Sequence, residues 1–151
     1  MKKIIVSLLS IFIFFSAFST NAFAAAPKYV AGHHGYWDTV RGGEKWAFFL
    51  GNGYAAENAW VQSENEVDWY FITGTVMFDP SDNGGNPWLN IDGRWYLFNP
   101  GGKLVRKEGW EKSPTNGDWM YWIPGNYGLA TSETRVIDGV KYYFNKHGYM
   151  Y

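Results

Sequence analysis

The sequence predicts an all-β fold made of stacked β-hairpin repeats, and three observations carry that expectation. The first is periodicity: Trp46, Trp69, Trp95 and Trp119, with Lys141 at the fifth equivalent place, recur at intervals of 23, 26, 24 and 22 residues. A second series, Trp37, Trp60, Trp88 and Trp110, precedes the first four by 9, 9, 7 and 9 residues, so eight of the nine tryptophans obey one two-position code. The second observation is local. Copies such as "WYLFNPGGKL" and "KYYFNKHGYM" open on consecutive β-formers and run into a turn that ends in Gly. The third is that no segment beyond the N-terminal apolar run has a helical period.

Taken in order, Lys2 and Lys3 precede an apolar run from Ile4 to Phe18, and Ala22-Phe23-Ala24 supplies a small-residue cleavage site. Residues 1–24 therefore read as a secretory signal peptide, and the apolar run is shorter than the roughly 20 residues of a membrane-spanning helix. Residues 25–36 read as a lead-in, and residues 37–151 as about five hairpin repeats. Each repeat is expected to be a strand, a Gly-containing turn and a short returning strand. In the first, third and fifth copies the turn glycine, Gly53, Gly102 or Gly148, stands 7 residues after Trp46, Trp95 or Lys141. The second and fourth, "WYFITGTVMF" and "WMYWIPGNYGL", are looser. The stretches around Gly109-Trp110 and "DPSDNGGNPW" read as linkers between hairpins. The fifth copy has Lys141 at its first position and Thr134 and Ser132 where a linker tryptophan would stand. It reads as a terminal cap whose outer face tolerates water.

Strand alternation assigns faces. Counting the hairpin Trp as position zero, position three holds Phe49, Ile72, Phe98, Trp122 and Phe144, all large and apolar, and this face is expected to be interior. Positions zero and two carry Trp46 and Phe48, Trp69 and Phe71, Trp95 and Leu97, Trp119 and Tyr121, Lys141 and Tyr143 on the opposite face. A linker Trp approaching that second face would wall a shallow aromatic groove. Tryptophans that only glue hairpins together would show the same period, so periodicity leaves both roles open.

Composition narrows the function. Aromatic residues make up 21% of the chain, and every Trp lies outside the signal segment. That is more than one small core encloses, so some rings must work at the surface. The absence of cysteine excludes a disulfide framework and a lipid-modified cysteine. Without Lys2 and Lys3 the chain has 11 basic against 14 acidic residues, a formal charge of about −3, which gives no electrostatic attraction for nucleic acid or an anionic membrane.

Catalytic and metal readings have little to stand on. Neighbouring His33 and His34 would point to opposite faces of an extended segment, and His147 sits in a turn. Glu64, Glu66 and Asp68 alternate, a pattern that invites a glycosidase reading, but three close acids on an exposed strand or loop are the commoner arrangement. The loop Asp79 to Asn86 offers oxygen ligands without calcium-loop spacing. No nucleophile signature, phosphate-cradling loop or cofactor motif is present.

In "WLNIDGRWYLFNPGGKLVRKEGW", "GWEKSPTNGDWMYW" and "IDGVKYYFNKHGYMY" the chain resembles the choline-binding and glucan-binding repeats of Gram-positive cell-wall proteins. The resemblance covers about Trp37 to Tyr151. It implies a solenoid of β-hairpins, secreted and associated with the cell wall, non-catalytic and without a cofactor. Its ligand would be a wall polymer held between consecutive repeats, either a glucan-like carbohydrate or choline-bearing teichoic acid. Carried over position by position, Trp37 with Trp46, Trp60 with Trp69, Trp88 with Trp95 and Trp110 with Trp119 become paired walls. Phe71 and Tyr121 are the candidates for a third wall from the following hairpin. Leu97 breaks that pattern, which favours a neutral sugar face over a cation that rewards three rings. Two other classes stay open: an enzyme centred on Glu64 to Asp68, and a structural surface protein that binds another protein.

Overall fold

The computed structural model describes residues 25–151; the signal-peptide expectation, residues 1–24, lies outside the described residues. The described chain is all-β, with no α-helix and two short 3-10 turns, Arg41–Gly43 and Pro80–Asp82. After β1 (Lys28–Val30) the strands follow as antiparallel pairs. They are β2 (Gly35–Val40) with β3 (Lys45–Leu50), and β4 (Ala59–Gln62) with β5 (Trp69–Thr73) and a short β6 (Val76–Met77). Then come β7 (Trp88–Ile91) with β8 (Arg94–Leu97), β9 (Gly109–Lys112) with β10 (Trp119–Trp122), and β11 (Glu133–Ile137) with β12 (Val140–Phe144).

These five hairpins are not closed where the repeat pattern suggested. Gly109-Trp110, read as linker, begins a first strand, whereas Asp79 to Pro87 is a connection as expected; each linker Trp lies on the first strand of its hairpin and pairs across it with position two: Trp37 with Phe48, Trp60 with Phe71, Trp88 with Leu97, Trp110 with Tyr121. In the third and fifth hairpins the closing turn is Asp-Gly. Asp92 and Gly93 have φ of 51° and 81°, and Asp138 and Gly139 have 50° and 80°, the left-handed pair that suits strand twist. The turn at Asn99 to Gly102 comes after the hairpin and brings the chain back for a single bridge, Phe98 to Leu104. Phe49 to Ala55, Trp122 to Leu129 and Phe144 to Met150 repeat that bridge, and Ile72 pairs with Met77 of β6 in the same place.

The lead-in also differs from a plain tail. Its β1 lies parallel to β4, with Lys28 opposite Trp60, and adds a strand to the second hairpin.

Two-stranded hairpins have neighbours on both faces, so alternation does not sort core from solvent here. Four small apolar clusters result, each built from consecutive hairpins. Ile72, Phe98, Trp122 and Phe144 at position three are buried as expected. Phe49 is the exception: it is only half-buried and stacks on exposed Tyr36, while Ala47 and Phe48 are buried instead. Position three faces the preceding hairpin, and none precedes the first among the described residues; on the other face the lead-in adds cover, Tyr29 stacking on Phe48 and Ala31 joining the same cluster.

Polar links tie hairpins together. Arg94 on β8 donates to the Leu129 carbonyl at 2.7 Å and to the Glu133 carboxylate on β11 at 2.9 Å. Within the fourth hairpin, Glu111 accepts from Lys107 just ahead of it and from the indole N–H of buried Trp122 at 2.6 Å. Burial works against charge on both carboxylates. The hydrogen bonds and positive charge of Arg94 on Glu133, and of Lys107 with Trp122 on Glu111, outweigh it and hold both below the usual glutamate range.

A folded protein that holds these protons less tightly than its unfolded chain loses stability when they bind. Urea midpoints should therefore be flat above the ordinary glutamate pKa, about 4.3, and fall as pH drops through and below it. Glu133→Gln should flatten part of that acid limb. A limb of undiminished steepness in Glu133→Gln would remove the Arg94 pair as its cause.

Candidate functional site: four aromatic grooves

Cross-strand pairing places each linker Trp on the same face as positions zero and two of its own hairpin. That face looks toward the next hairpin, whose positions one and three look back. The linker tryptophans wedge into this junction. Trp37 meets Tyr70 at 5.5 Å, Trp60 meets Tyr96 at 4.9 Å, Trp88 stacks on Trp122 at 5.7 Å, and Trp110 meets Tyr142 at 4.8 Å. The position-zero tryptophans stand outside them, Trp46 being 49% and Trp119 41% exposed.

Four grooves follow, one per junction. Trp37 and Trp46 share the first with Tyr70 and Met77; Trp60 and Trp69 share the second with Tyr96 and Leu104. Trp88 and Trp95 share the third with Met120 and Leu129; Trp110 and Trp119 share the fourth with Tyr142 and Met150. In chain order they enclose about 350, 200, 350 and 310 Å³.

The third walls are thus position-one residues, not Phe71 and Tyr121. Phe71 is buried against Trp60 at 5.1 Å, and Tyr121 packs between Trp110 and Phe144. Both sit behind the linker Trp of their own hairpin, because a position-two residue must share that face. Leu97 sits in the same place, so it does not decide whether a groove has a third ring. Tyr70, Tyr96 and Tyr142 supply one from position one; the third groove has Met120 there, and its third ring is Tyr149.

The geometry also explains Lys141. Five hairpins leave four junctions, and the fifth hairpin contributes Tyr142 and Met150 to the last groove. Its own outward face carries Thr134 opposite Tyr143 and Val136 opposite Lys141, with no further hairpin beyond it among the described residues.

The second groove is the narrowest because Ala25, Ala26 and Lys28 enter it. The Ala26 N–H donates to the Asp92 carboxylate at 3.0 Å, and the Lys28 ammonium lies 5.9 Å from the Trp69 ring centroid. The first groove carries Glu64 on its rim. Among the described residues no cluster of three His, Cys, Asp or Glu side chains is placed to hold a metal ion. His34 Nδ1 accepts the Val30 N–H at 2.9 Å, and Asp79 is engaged by the N–H groups of Ser81 and Gly101. Asp68 pairs with Lys103 at 3.0 Å.

No family model matches the chain. Toxin A of Clostridium novyi is 32% identical over 90 residues, covering 58% of this chain and 4% of the toxin, so the match spans a small fraction of that protein. A truncated alternansucrase from Leuconostoc mesenteroides superposes with a TM-score of 0.50 at 20% identity, over 76% of this chain and 10% of the enzyme. Choline-binding protein F from Streptococcus pneumoniae gives 0.45 at 24%, over 76% of this chain and 33% of that one. The likeness to alternansucrase is one of fold. The repeat pattern, which resembles that of choline-binding and glucan-binding repeat proteins, folds here as five consecutive hairpins.

Proposed function

We propose that this chain is a secreted, non-catalytic, wall-associated module that binds a bacterial cell-wall polymer, glucan-like carbohydrate foremost, in the aromatic grooves between its hairpins. Residues 37–151 are then a short solenoid of five hairpins with the last as its cap, following a cleaved signal peptide. One observation carries the reading: all four tryptophan pairs open on separate grooves, each closed by the following hairpin. Indole faces suit the apolar faces of sugar rings through dispersion and the hydrophobic effect. Each groove alone is weak, and several on one polymer add through effective concentration. No membrane-crossing helix occurs among the described residues, and nothing in the charge balance calls for nucleic acid.

A second reading, choline-bearing teichoic acid, is favoured by Tyr70 and Tyr142. With them the first and fourth grooves present three rings and a Met, and a ring face attracts a cation by about 0.5 to 2 kcal/mol. Co-sedimentation of the mature protein with choline-bearing walls, choline-free walls and dextran tests both. Retention on all three supports the carbohydrate reading. Retention on choline-bearing walls alone, released by millimolar choline, selects the second, and retention on none removes both.

A further inference from the structure

The second groove holds the chain's own N-terminal segment. Ala25, Ala26 and Lys28 line it beside Trp60, Trp69 and Tyr96, and it encloses about 200 Å³ where the others enclose about 310 to 350 Å³. Three contacts of different kinds keep the segment there. The Pro27 carbonyl accepts the Trp60 backbone N–H at 2.8 Å, Ala26 packs on the cluster that contains Trp60 and Tyr96, and the Lys28 ammonium stands 5.9 Å from the Trp69 ring centroid. A tethered segment competes for such a groove as if present at about millimolar concentration.

A fourth contact is electrostatic. The Ala26 N–H donates to one oxygen of Asp92 at 3.0 Å, and the other oxygen accepts no hydrogen bond among the described residues. Asp92 is itself fixed in the Asp-Gly turn of the third hairpin. One residue spans at most about 3.6 Å, so the Ala25 nitrogen is held within about 7 Å of the same carboxylate. Hydrolysis of the Ala24–Ala25 bond gives the hydroxyl of water to the Ala24 carbonyl and its proton to the Ala25 nitrogen. That nitrogen, an amide before cleavage, becomes an α-ammonium with a carboxylate in reach.

We propose that the second groove is the docking site of the mature chain's own N-terminus: the Ala25 α-ammonium pairs with Asp92 while Lys28 covers Trp69, so that maturation closes this groove to outside ligands and leaves three open. The proposal rests on cleavage of the signal peptide after Ala24 and is independent of which polymer the open grooves take. Two carboxylates favour a cation here, Asp92 and Glu108, the latter accepting the N–H of Gly125 in the groove wall at 2.8 Å. Three cations oppose it, and each is engaged elsewhere. Lys28 faces the Trp69 indole, Arg106 lies 5.8 Å from the Tyr127 ring centroid, and Arg94 donates to the Leu129 carbonyl and to Glu133. Burial pushes the Tyr96 phenol up and keeps it neutral.

Intact mass of the exported protein should place its first residue at Ala25. In that protein the pH dependence of the Ala25 methyl signal reads the α-amine directly. A neighbouring carboxylate favours the charged form, so the midpoint should lie about half a pH unit above the ordinary range of about 7.7 to 8.0. Asn accepts the same left-handed turn conformation. Asp92→Asn should therefore keep the fold and return the midpoint to that range, while Asp138→Asn, in the same turn of the fifth hairpin, should leave it raised. Nuclear Overhauser contacts should join the Ala25 or Ala26 methyl to the Trp69 or Tyr96 ring. An ordinary midpoint in the parent, a raised one that survives Asp92→Asn, or methyls without contact to either ring overturns the docking. A first residue other than Ala25 overturns it together with the cleavage reading, and leaves the polymer reading of the other grooves standing.

Discussion

Trp60→Ala is expected to lower the free energy of unfolding by about 3 to 5 kcal/mol, the range for truncating a well-packed aromatic. Trp60 is the most enclosed residue of the two tryptophan series, with only 8% of its surface exposed. Its ring lies 5.1 Å from Phe71 on its own hairpin, and 4.9 Å and 6.1 Å from Tyr96 and Phe98 on the next. Its backbone N–H donates to the Pro27 carbonyl at 2.8 Å, anchoring the lead-in strand beside the ring. Removing the side chain opens a cavity at a junction where the lead-in and two hairpins meet. Small domains are stable by about 5 to 15 kcal/mol in total, so the loss is a large share. Urea unfolding followed by far-ultraviolet circular dichroism measures it, with Trp119→Ala as the comparison. Trp119 is exposed on one side and should cost much less. Equal losses at the two positions would mean that the junction core is not where the stability resides.

The same residue shows what the sequence could and could not reveal. The tryptophan code made the number of hairpins legible, because a repeated unit needs the same wedge and the same wall each time. It could not say that Trp60 is mainly wedge and Trp46 mainly wall, since both roles share one period. The hairpin ends were misplaced because two Gly turns compete in each strong copy. Asn99 to Gly102 is the more conspicuous, yet Asp92-Gly93 is the two-residue turn that closes the ladder. The spacing held the clue: Trp88 to Trp95 is 7 residues where the others are 9, as a shorter closing turn requires. Thr134 and Lys141 are also 7 apart, around Asp138-Gly139.

The third walls were missed for a related reason. With the linker Trp assigned outside its hairpin, parity could not place it beside position two. Phe71 and Tyr121 then looked available when they are its own cross-strand partners. Once the pairing is known, parity alone directs attention to Tyr70, Tyr96, Met120 and Tyr142. Other features had no sequence signal of this kind. The parallel docking of Lys28–Val30 on β4 depends on a long-range register, and the polar rim of the third groove gathers Asn86, Ser113 and His147 from three separate turns.

A Trp46→Ala, Trp119→Ala double variant should keep its fold and lose most of its hold on the polymer. These two rings are the exposed outer walls of the first and fourth grooves, and neither is part of a buried cluster. Trp46 stands opposite Thr39 at a strand edge; Trp119 contacts Trp110 edge-on at 6.3 Å, a ring that Tyr142 and Phe144 also hold. Each single substitution leaves three grooves intact, and the polymer stays tethered while one contact opens. The double variant leaves two, one of them narrowed by the lead-in segment. If each groove contributes about 1 kcal/mol, within the range of a single ring contact, the two together change retention by on the order of 10- to 100-fold. The double effect should exceed either single effect because linked sites raise one another's local concentration. Tyr54→Ala supplies the control: that ring is 73% exposed and lines none of the grooves. Co-sedimentation with wall material measures retention, and circular dichroism checks the fold. Undiminished retention in a folded double variant, or an equal loss in Tyr54→Ala, would show that the polymer is held somewhere other than between the hairpins.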